Sequence, residues 1–522
     1  MTQPEVHARR AAPAMGDLIP ANILITAAIR YGDREALFCS ETNRRFTFRQ
    51  LNERCNRLSN ALTGLGLKKG DVVALLSTNR VELVDTMMAL SKTGLVGMPL
   101  NYRMTPAEMV ALMRSVNAVG MVCEARFADV ARKAGEEIDG MRHRIVFGGA
   151  VPGMADFDAL TAAASPAEPD VDVRETDPFY FNLTSGSTGL PKCYVLTHYN
   201  CAAGTGMFDA MGVNKHDVIL TVFPMFGRVG ISWYAAGLMS GARNVITNFE
   251  PGRALQLVQQ EKVTITNLVP TMAAMLLQHP ELRGFDLSSL RAVVFAGSML
   301  PAPIREAAAQ HLCPGIIEYY GMQETGALTI SLPEDRVARP DSVGRLVMHS
   351  RMAIVDDNGA PLPPGQLGEI VGRAPAATTA YYENPAKTAE TFRGRWIHTG
   401  DLGMVDEEGY LFIRGRKKDM IVTGGQNVFA AEVEEALLAH PDVQECAVLG
   451  LPDPLWGERV SAVVVLRAGS AQTAAGLEAL CRQSLAGFKT PKQFILQTEP
   501  LPRTPTGKVQ KFMLAERYGE AS

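Results

Sequence analysis

The stretch Leu183-Thr-Ser-Gly-Ser-Thr-Gly-Leu-Pro-Lys192 combines four hydroxyl residues, two glycines and a terminal lysine. Glycine lets a backbone bend so that several N–H groups point into one hollow, which suits an anion. The hydroxyl side chains add further donors, and Lys192 adds a positive charge. The preceding segment Phe179–Leu183 has a strand pattern, and ligands of α/β folds bind at such strand ends. This stretch therefore predicts a polyphosphate cradle.

The loop is not a Walker loop, because Gly189 is followed by Leu190 and Pro191 where GxxxxGK[ST] would need lysine. An exposed polar loop without a ligand is the alternative interpretation.

The composition is that of an ordinary globular protein, with 522 residues, 47% hydrophobic and 20% charged. The net charge of −4 gives no electrostatic support for binding nucleic acid or an anionic membrane. The eight cysteines are scattered without a CxxC pair, which favours free thiols in a reducing cytoplasm over disulfides or zinc. No apolar stretch reaches membrane-spanning length, and no signal peptide is expected.

From Leu18 onward helices and short apolar strands alternate, which predicts an α/β fold with largely parallel sheets. Around Ser342–Gly372 the sequence pattern changes to short strands separated by turn residues, and the last hundred residues have an α+β pattern. The predicted organisation is a loose tail, a large N-terminal domain of two doubly wound subdomains and a small β-barrel-like unit, and a mobile C-terminal domain. The ranges are 1–16, 17–417 (17–180, 181–335 and 336–417) and 418–522.

Three further motifs carry polar chemistry. Tyr319–Thr325 offers aromatic faces for a purine and a carboxylate, Glu324, suited to Mg²⁺. Trp396–Asp401 places Asp401 after a glycine, where it could accept both hydroxyls of a ribose. Pro502–Lys508 presents one lysine from a turn. Each alone is compatible with a turn that binds nothing, which for Glu324 means a solvated acid, but their order and combination are informative.

Together with a fifth motif at residues 415–428, these four resemble, in chain order, the motifs of the adenylate-forming superfamily, which includes acyl- and aryl-CoA ligases, peptide-synthetase adenylation domains and beetle luciferases. The resemblance covers nearly the whole chain, from Phe46 to Lys508. LTSGSTGLPK resembles the phosphate loop, YGMQETG the nucleotide and magnesium motif, and HTGD the ribose motif. GRKKDMIVTGGQNV resembles the hinge motif and PRTPTGKVQK the terminal lysine motif.

The resemblance implies two half-reactions: a carboxylate attacks the α-phosphate of ATP, and a thiol then attacks the acyl-adenylate. It implies Lys508, Glu324 and Lys192 as catalytic residues, with Glu324 and Thr184 at Mg²⁺. The ATP-binding residues that it implies are Thr184, Ser185, Gly186, Ser187, Thr188, Gly189, Lys192, Gly297, Ser298, Tyr319, Tyr320, Gly321, Met322, Gln323, Asp401, Arg416 and Lys508.

The same resemblance implies that Lys418 is the hinge at which the C-terminal domain rotates between the half-reactions. That rotation would exchange Lys508 for Gly424 and Gly425, whose small size leaves room for the pantetheine arm of coenzyme A. The implied pocket for the acid is apolar overall and is lined by Phe226, Gly227, Arg228, Val229, Trp233, Val269, Met299 and Gly321.

The chain departs from the family pattern at Gly227, where a histidine commonly gates the acyl pocket. We expect Gly227 to leave a void or to let a neighbour close it. For Arg228, pairing with a second carboxylate of the substrate and simple solvation are both open, and its residue type favours solvation. Gln323 replaces a usual Ser or Thr, and His198 has an expected structural role.

The sequence thus predicts an ATP-dependent acid–CoA ligase for a medium-sized apolar acid, fatty, alicyclic or aryl. A free-standing enzyme that loads an acyl carrier protein is the alternative, and a non-catalytic protein that binds nucleotide or acyl-adenylate belongs to a different class. The expected partners are the acid, ATP and coenzyme A, with neither nucleic acid nor an integral membrane association. A homodimer is compatible with the sequence.

Overall fold

The computed structural model describes residues 18–183, 193–503 and 509–519, and across these residues the backbone forms four β-sheets. The largest has nine strands, parallel in its centre, with antiparallel neighbours at both edges. In spatial order its strands are Arg345–Leu346, Gly326–Ser331, Ile316–Met322, Ala292–Phe295, Ile265–Leu268, Val218–Thr221, Arg243–Ile246, Glu35–Cys39 and Arg44–Thr47.

A seven-stranded sheet packs beside it, also parallel except at one edge. Its strands, in spatial order, are Ala155–Asp156, His143–Phe147, Ala118–Glu124, Val72–Leu76, Val96–Pro99, Pro178–Leu183 and Cys193–Thr197. Strand Val72–Leu76 is buried at all five positions, as expected for a parallel strand covered on both faces.

Helices cover both large sheets. The helix Val81–Thr93 is buried at all 13 positions, and its apolar residues share one core with residues of both sheets. Its charged residues are paired, for example Asp85 with Arg54. The other helices of this part are Pro20–Tyr31, Phe48–Gly64, Pro106–Ser115, Ala128–Glu137, Phe157–Ala163, His198–Ala203, Met207–Ala210, Arg228–Ser240, Pro251–Glu261, Pro270–Leu277, Ala302–His311, Pro333–Ala338 and Pro385–Thr391.

Two five-stranded sheets complete the molecule. The first is antiparallel and comprises Arg351–Val355, Gly368–Arg373, Phe392–Arg393, Trp396–Val405 and Leu411–Arg416. The second comprises Met420–Thr423, Gln426–Phe429, Val443–Asp453, Gly457–Leu466 and Gln493–Gln497, with helices Ala430–Leu438, Ala474–Ser484 and Lys511–Gly519. A single 3₁₀ turn, Lys417–Asp419, joins the two sheets.

The predicted fold class, α/β sheets with a small β unit and an α+β unit at the C-terminal end, is confirmed. Some elements begin at a local pattern: Thr105-Pro106-Ala107-Glu108 is typical of a helix start, and it forms a capping box in which the Thr105 and Glu108 side chains each accept from the other's backbone N–H. The sheets do not follow the predicted ranges 17–180 and 181–335 strand for strand. Glu35–Cys39 pairs in parallel with Arg243–Ile246, so the beginning of the chain supplies an edge of the nine-stranded sheet.

All eight cysteines are free thiols, as predicted. Among the described residues, no helix combines the length and the apolar character needed to cross a bilayer.

Candidate active site

A cleft of about 1950 Å³ opens where the parallel strands of the nine-stranded sheet reach their carboxyl ends, and the two smaller sheets also line it. Loop 296–300 follows strand Ala292–Phe295, and residues 319–324 end strand Ile316–Met322. This is the edge at which open α/β sheets bind ligands. The cleft gathers these predicted site residues: Gly297, Ser298, Tyr319, Tyr320, Gly321, Met322, Gln323, Glu324, Asp401, Arg416, Lys418, Arg228, Val229 and Met299.

A tight hairpin aims the predicted nucleotide motif into the cleft. Strand Ile316–Met322 pairs antiparallel with Gly326–Ser331. A Cβ atom at Gly321 would lie 2.0 Å from the carbonyl oxygen of Gly326, so only glycine permits this approach. The hydroxyl of Thr325 accepts from the N–H of Met322 at 3.0 Å and closes the turn.

Glu324 is held rigidly at the tip of this hairpin. Its side chain is 5% exposed, and its Oε1 accepts a hydrogen bond of 2.6 Å from the hydroxyl of Tyr381. Its backbone carbonyl accepts from the N–H of Thr378 at 2.9 Å. Burial and the neighbouring Glu324 raise the pKa of Tyr381, so the phenol stays protonated and can donate. The solvated acid that the sequence left open is therefore excluded.

The predicted ribose residues form a connected set. Asp401 and Arg416 are opposite each other in the antiparallel pair of strands Trp396–Val405 and Leu411–Arg416. Arg416 Nε lies 2.9 Å from Asp401 Oδ1, and the Tyr320 hydroxyl donates to Asp401 Oδ2 at 2.8 Å. Burial and the nearby Asp401 raise the pKa of Tyr320, which keeps it a donor. The carboxylate is thus fixed at both oxygens.

Gln323 takes part in a buried amide network that the sequence did not predict. Its Oε1 accepts from Asn182 Nδ2 at 3.0 Å, and its backbone carbonyl accepts from the Tyr194 hydroxyl at 2.8 Å. The longer amide, in place of Ser or Thr, therefore ties the hairpin tip to strand Pro178–Leu183.

The preferred interpretation of Arg228 as a solvated side chain is wrong. Arg228 is 8% exposed, and its Nη1 donates to the backbone carbonyl of Gln323 at 2.6 Å. Its Nη2 donates to the carbonyl of Ala376. These two carbonyls, supplied by distant segments, replace the water that a surface arginine would bind.

Four residues predicted for the acid pocket do not line this cleft: Phe226, Gly227, Trp233 and Val269. Trp233 is 1% exposed and packs edge-on against Phe208 in a core, with ring centroids 5.0 Å apart. Phe226 instead contacts Tyr102, at a centroid distance of 5.4 Å. The direction of each side chain depends on which face of its helix or loop it occupies. The position of a residue in a motif does not predict that face.

Two of the remaining positions have indirect roles. Val269 packs beside loop 296–300: if Gly297 had a Cβ atom, it would lie 3.5 Å from Cγ1 of Val269. A Cβ at Gly227 would meet only the carbonyl oxygen of Pro224, at 3.6 Å, which agrees with the expected void.

The C-terminal unit contributes residues on both sides of the segment 504–508. Arg503 and Lys511 line the cleft and are ion-paired with Glu445 and Glu434, each at 2.7 Å. Gly424 and Gly425 do not line it. Instead a Cβ at Gly424 would lie 2.7 Å from the ring of Trp456. The described residues Arg503 and Lys511 therefore lie at the cleft in this conformation, and the glycine pair does not.

Several predicted residues lie outside the described part of the chain: Thr184, Ser185, Gly186, Ser187, Thr188, Gly189, Lys192 and Lys508. Their assignments stay predictions.

The donor set near the hairpin fits Mg²⁺ bound together with phosphates. Among the described residues no group of three or more His, Cys, Asp or Glu could hold a metal by itself. Glu324 offers one carboxylate, whose Oε2 takes part in no hydrogen bond with a described residue. Mg²⁺ is commonly held by one or two carboxylates plus phosphate oxygens and waters, which this site can supply once a nucleotide is present.

The sequence did not predict three of the residues that orient the motifs, namely Tyr381, Tyr194 and Asn182. They lie in buried strands or in the aromatic pair Tyr381-Tyr382, and no local pattern singles them out. Their contacts span long separations, for example 57 residues from Tyr381 to Glu324.

Comparison with known families agrees with this geometry. Residues 24–382 match the family model described as "AMP-binding enzyme", and residues 432–508 match "AMP-binding enzyme C-terminal domain".

Individual relatives are similar over nearly their whole length. A feruloyl-CoA synthase of Amycolatopsis sp is 34% identical over 484 residues, which is 91% of this chain and 94% of that protein. The fatty acid–[acyl-carrier-protein] ligase ScoC of Streptomyces coeruleorubidus is 32% identical over 494 residues, covering 92% and 93%. The crystal structure of the anthranilate CoA ligase AuaEII with anthranoyl-AMP superposes with a TM-score of 0.90 at 29% identity, covering 96% and 98%.

Proposed function

This chain belongs to the AMP-binding enzyme family and is an acid–thiol ligase that uses ATP, and on that basis we propose that it joins a medium-sized, mainly apolar carboxylic acid to coenzyme A. The observation that carries the proposal is the convergence of the hairpin at Glu324, loop 296–300 and the Asp401–Arg416 pair on one cleft. These segments supply an aromatic wall, a ribose acceptor and a metal carboxylate at one place.

In the first half-reaction the acid's carboxylate oxygen attacks the α-phosphorus of ATP, and pyrophosphate leaves with its electron pair. Tyr319, Tyr320, Gly297 and Ser298 would hold the adenine, since the aromatic faces and the small loop residues leave a flat slot. Asp401 and Arg416 would fix the ribose. Both reactants are anions, so the fixed positive charge of Lys508 would offset their repulsion where charge develops.

Mg²⁺ at Glu324 would supply further positive charge to the phosphates. Tyr381 keeps the carboxylate turned towards the cleft through its 2.6 Å hydrogen bond. The segment 183–192 would cradle the departing pyrophosphate and so assist the reaction without contacting the carboxylate carbon.

In the second half-reaction a thiol attacks the acyl carbon, and the single bond between that carbon and the phosphate oxygen of AMP breaks. We propose that the C-terminal unit turns about Lys418 so that Gly424 and Gly425 replace Lys508 at the cleft. The present conformation, with Arg503 and Lys511 at the cleft, suits the first half-reaction.

We infer that the acid has an apolar body from the side chains that line one part of the cleft. There the helices Pro20–Tyr31, His198–Ala203 and Arg228–Ser240 meet, and the side chains are mainly apolar. They include Ile23, Met88, Phe179, Ile231 and Ala235. Such a lining favours an aliphatic, alicyclic or aromatic tail.

Loading of an acyl carrier protein is the second candidate. Its support is the similarity to ScoC, whose name states that reaction, over 92% of this chain. The two candidates share the first half-reaction and differ only in the thiol.

One experiment tests both: the protein is mixed with ATP, Mg²⁺ and single acids, and pyrophosphate is followed with and without coenzyme A. Acid-dependent pyrophosphate with thioester formed on coenzyme A supports the proposal. Acid-dependent pyrophosphate without that thioester, but with acylation of a carrier protein, supports the second candidate. Pyrophosphate release that is independent of any acid contradicts both.

A further inference from the structure

A buried cation lines the cleft where the nucleotide side meets the apolar side. Arg228 is the first residue of helix Arg228–Ser240 and is 8% exposed. Two of its five N–H donors reach the backbone carbonyls of Gln323 and Ala376. A third N–H interacts with the hydroxyl of Tyr194, so two donors remain for another partner.

No carboxylate of the described residues forms an ion pair with this guanidinium. Glu324, adjacent in sequence to Gln323, is instead engaged by the hydroxyl of Tyr381. A buried charge that has no counter-ion costs free energy, whereas the same charge paired with an anion of the ligand recovers much of that cost.

The polar side chains around Arg228 cannot neutralise it near pH 7. Its charge opposes the upward pKa shifts that burial causes in Tyr180, Tyr194, Cys201 and Tyr319, so it lies within electrostatic reach of all four. Burial nevertheless raises the pKa of Cys201 to about 12 and that of Tyr319 to about 12. All four groups are therefore uncharged, and none of them can form an ion pair with Arg228.

We propose that Arg228 recognises a second acidic group on the substrate, so that the preferred acids have an apolar body and two acidic groups. This inference rests on the proposed function and specifies its substrate class. The planar guanidinium binds carboxylates through parallel hydrogen bonds, and Arg228 keeps two donors for them.

The reacting carboxylate is a poorer partner for Arg228 than a second one. It loses its charge as it becomes an acyl-adenylate, so a fixed cation on it would stabilise the ground state more than the transition state and slow the reaction. A second acidic group keeps its charge throughout and can be held without that penalty. Its place would be near the first turn of helix Arg228–Ser240, from which Ile231 and Ala235 continue along the apolar lining.

The test compares acids matched in chain length. The kcat/KM for pyrophosphate release is measured with straight-chain monoacids from butanoate to octanoate and with the α,ω-diacid of each length. The proteins are wild type, Arg228→Gln, Arg228→Lys and, as a matched control, Arg253→Gln on the outer helix Pro251–Glu261. ATP affinity, measured by calorimetry, reports whether each variant keeps its nucleotide site.

We expect the wild type and the Arg253 variant to prefer a diacid over its matched monoacid at one or more lengths. Arg228→Gln should lower the ratio of the diacid value to the matched monoacid value by about 10- to 100-fold, as expected for loss of a charged hydrogen bond to the second acidic group. Arg228→Lys should retain part of the preference, because it keeps the charge but not the two-pronged geometry.

An equal loss for both members of each pair in Arg228→Gln would overturn the inference and assign Arg228 to the reacting carboxylate or to the fold. A wild-type preference for the monoacid at every length would overturn it as well, while leaving the ligase proposal intact. Pyrophosphate release that no acid stimulates would contradict the ligase proposal itself. If Arg228→Gln does not fold, unchanged diacid preference in Arg228→Lys counts against the inference.

Discussion

At the scale of single residues, Lys508 is the side chain whose loss should slow the proposed first half-reaction most. We expect Lys508→Ala to abolish adenylation, a loss of at least about 10²- to 10³-fold, because a positioned charge no longer offsets the repulsion of two anions. Thioester formation from preformed acyl-adenylate should survive. Single-turnover assays of each half-reaction measure both effects.

Lys492→Ala, on an exposed lysine of the same unit, is the control for that variant. A comparable fall in both half-reactions after Lys508→Ala would show that this lysine does not have the assigned role.

His198 is a residue whose effect is on stability. It is fully buried, its ring stacks on Phe179 at a centroid distance of 4.8 Å, and its Nδ1 lies 3.3 Å from the Ser91 hydroxyl. Burial lowers the pKa of His198 to about 4, below its value in the unfolded chain. The unfolded chain therefore binds a proton more readily as the pH falls.

The contribution of His198 to the free energy of unfolding is complete above about pH 6.5 and is lost as the pH falls towards about 4, by on the order of 3 kcal/mol. Urea unfolding at several pH values should show a steeper loss in the wild type than in His198→Gln. Parallel pH profiles for the two proteins would mean that His198 titrates normally in the folded state.

At the scale of elements, the hairpin at Gly321 decides where Glu324 lies. In Gly321→Ala the new methyl group would start 2.0 Å from the carbonyl oxygen of Gly326, so the strands must separate. We expect a loss of about 1–3 kcal/mol in the free energy of unfolding, together with much weaker adenylation.

Gly140→Ala is the matched control, because no atom lies within 4 Å of a Cβ at that position. Denaturant unfolding and pyrophosphate release measure the two effects. Normal adenylation by Gly321→Ala would contradict the assignment of the hairpin to the nucleotide site.

The turn Lys417–Asp419 is the second element with a direct test. Proline at Lys418 fixes one backbone angle and so restricts the proposed rotation. We expect Lys418→Pro to leave adenylation largely intact and to stall thioester formation, whereas Lys418→Ala should support both. The two half-reactions, measured separately by rapid quench, provide the readout. Thioester turnover at the wild-type rate in the proline variant would exclude a hinge at this residue.

At the scale of the whole molecule, the sequence predicted elements better than their assembly. The apolar run Val72–Leu76 and the capping pattern at Thr105 are local, and each is typical of the element that the structure contains there. The pairing of Leu37 with Asn244 is not local, because a hairpin at the start of the chain could join either large sheet. The pairing occurs beside a core that the buried helix Val81–Thr93 shares with both sheets, and no short sequence pattern predicts it.

The site divides in the same way. Motif residues such as Glu324 and Asp401, which the structure places at one cleft, could be singled out because each motif has its own order and composition. Their roles stay predictions. The environment of Arg228 was not, because its two acceptors lie 95 and 148 residues away in sequence. The same holds for Tyr381, whose hydroxyl fixes Glu324 from a separate segment. Residue type alone predicted a solvated arginine, and tertiary structure determined otherwise.

In the proposed reaction the acid's carboxylate attacks the α-phosphorus of ATP before the thiol reacts. An accepted acid labelled with heavy oxygen in its carboxylate tests it directly, with AMP and the acyl product analysed by mass spectrometry after one turnover. If the reaction follows this order, one heavy oxygen is transferred to AMP, since thiol attack breaks the bond between the acyl carbon and that oxygen. Unlabelled AMP, or heavy oxygen found in released phosphate together with ADP, would contradict it.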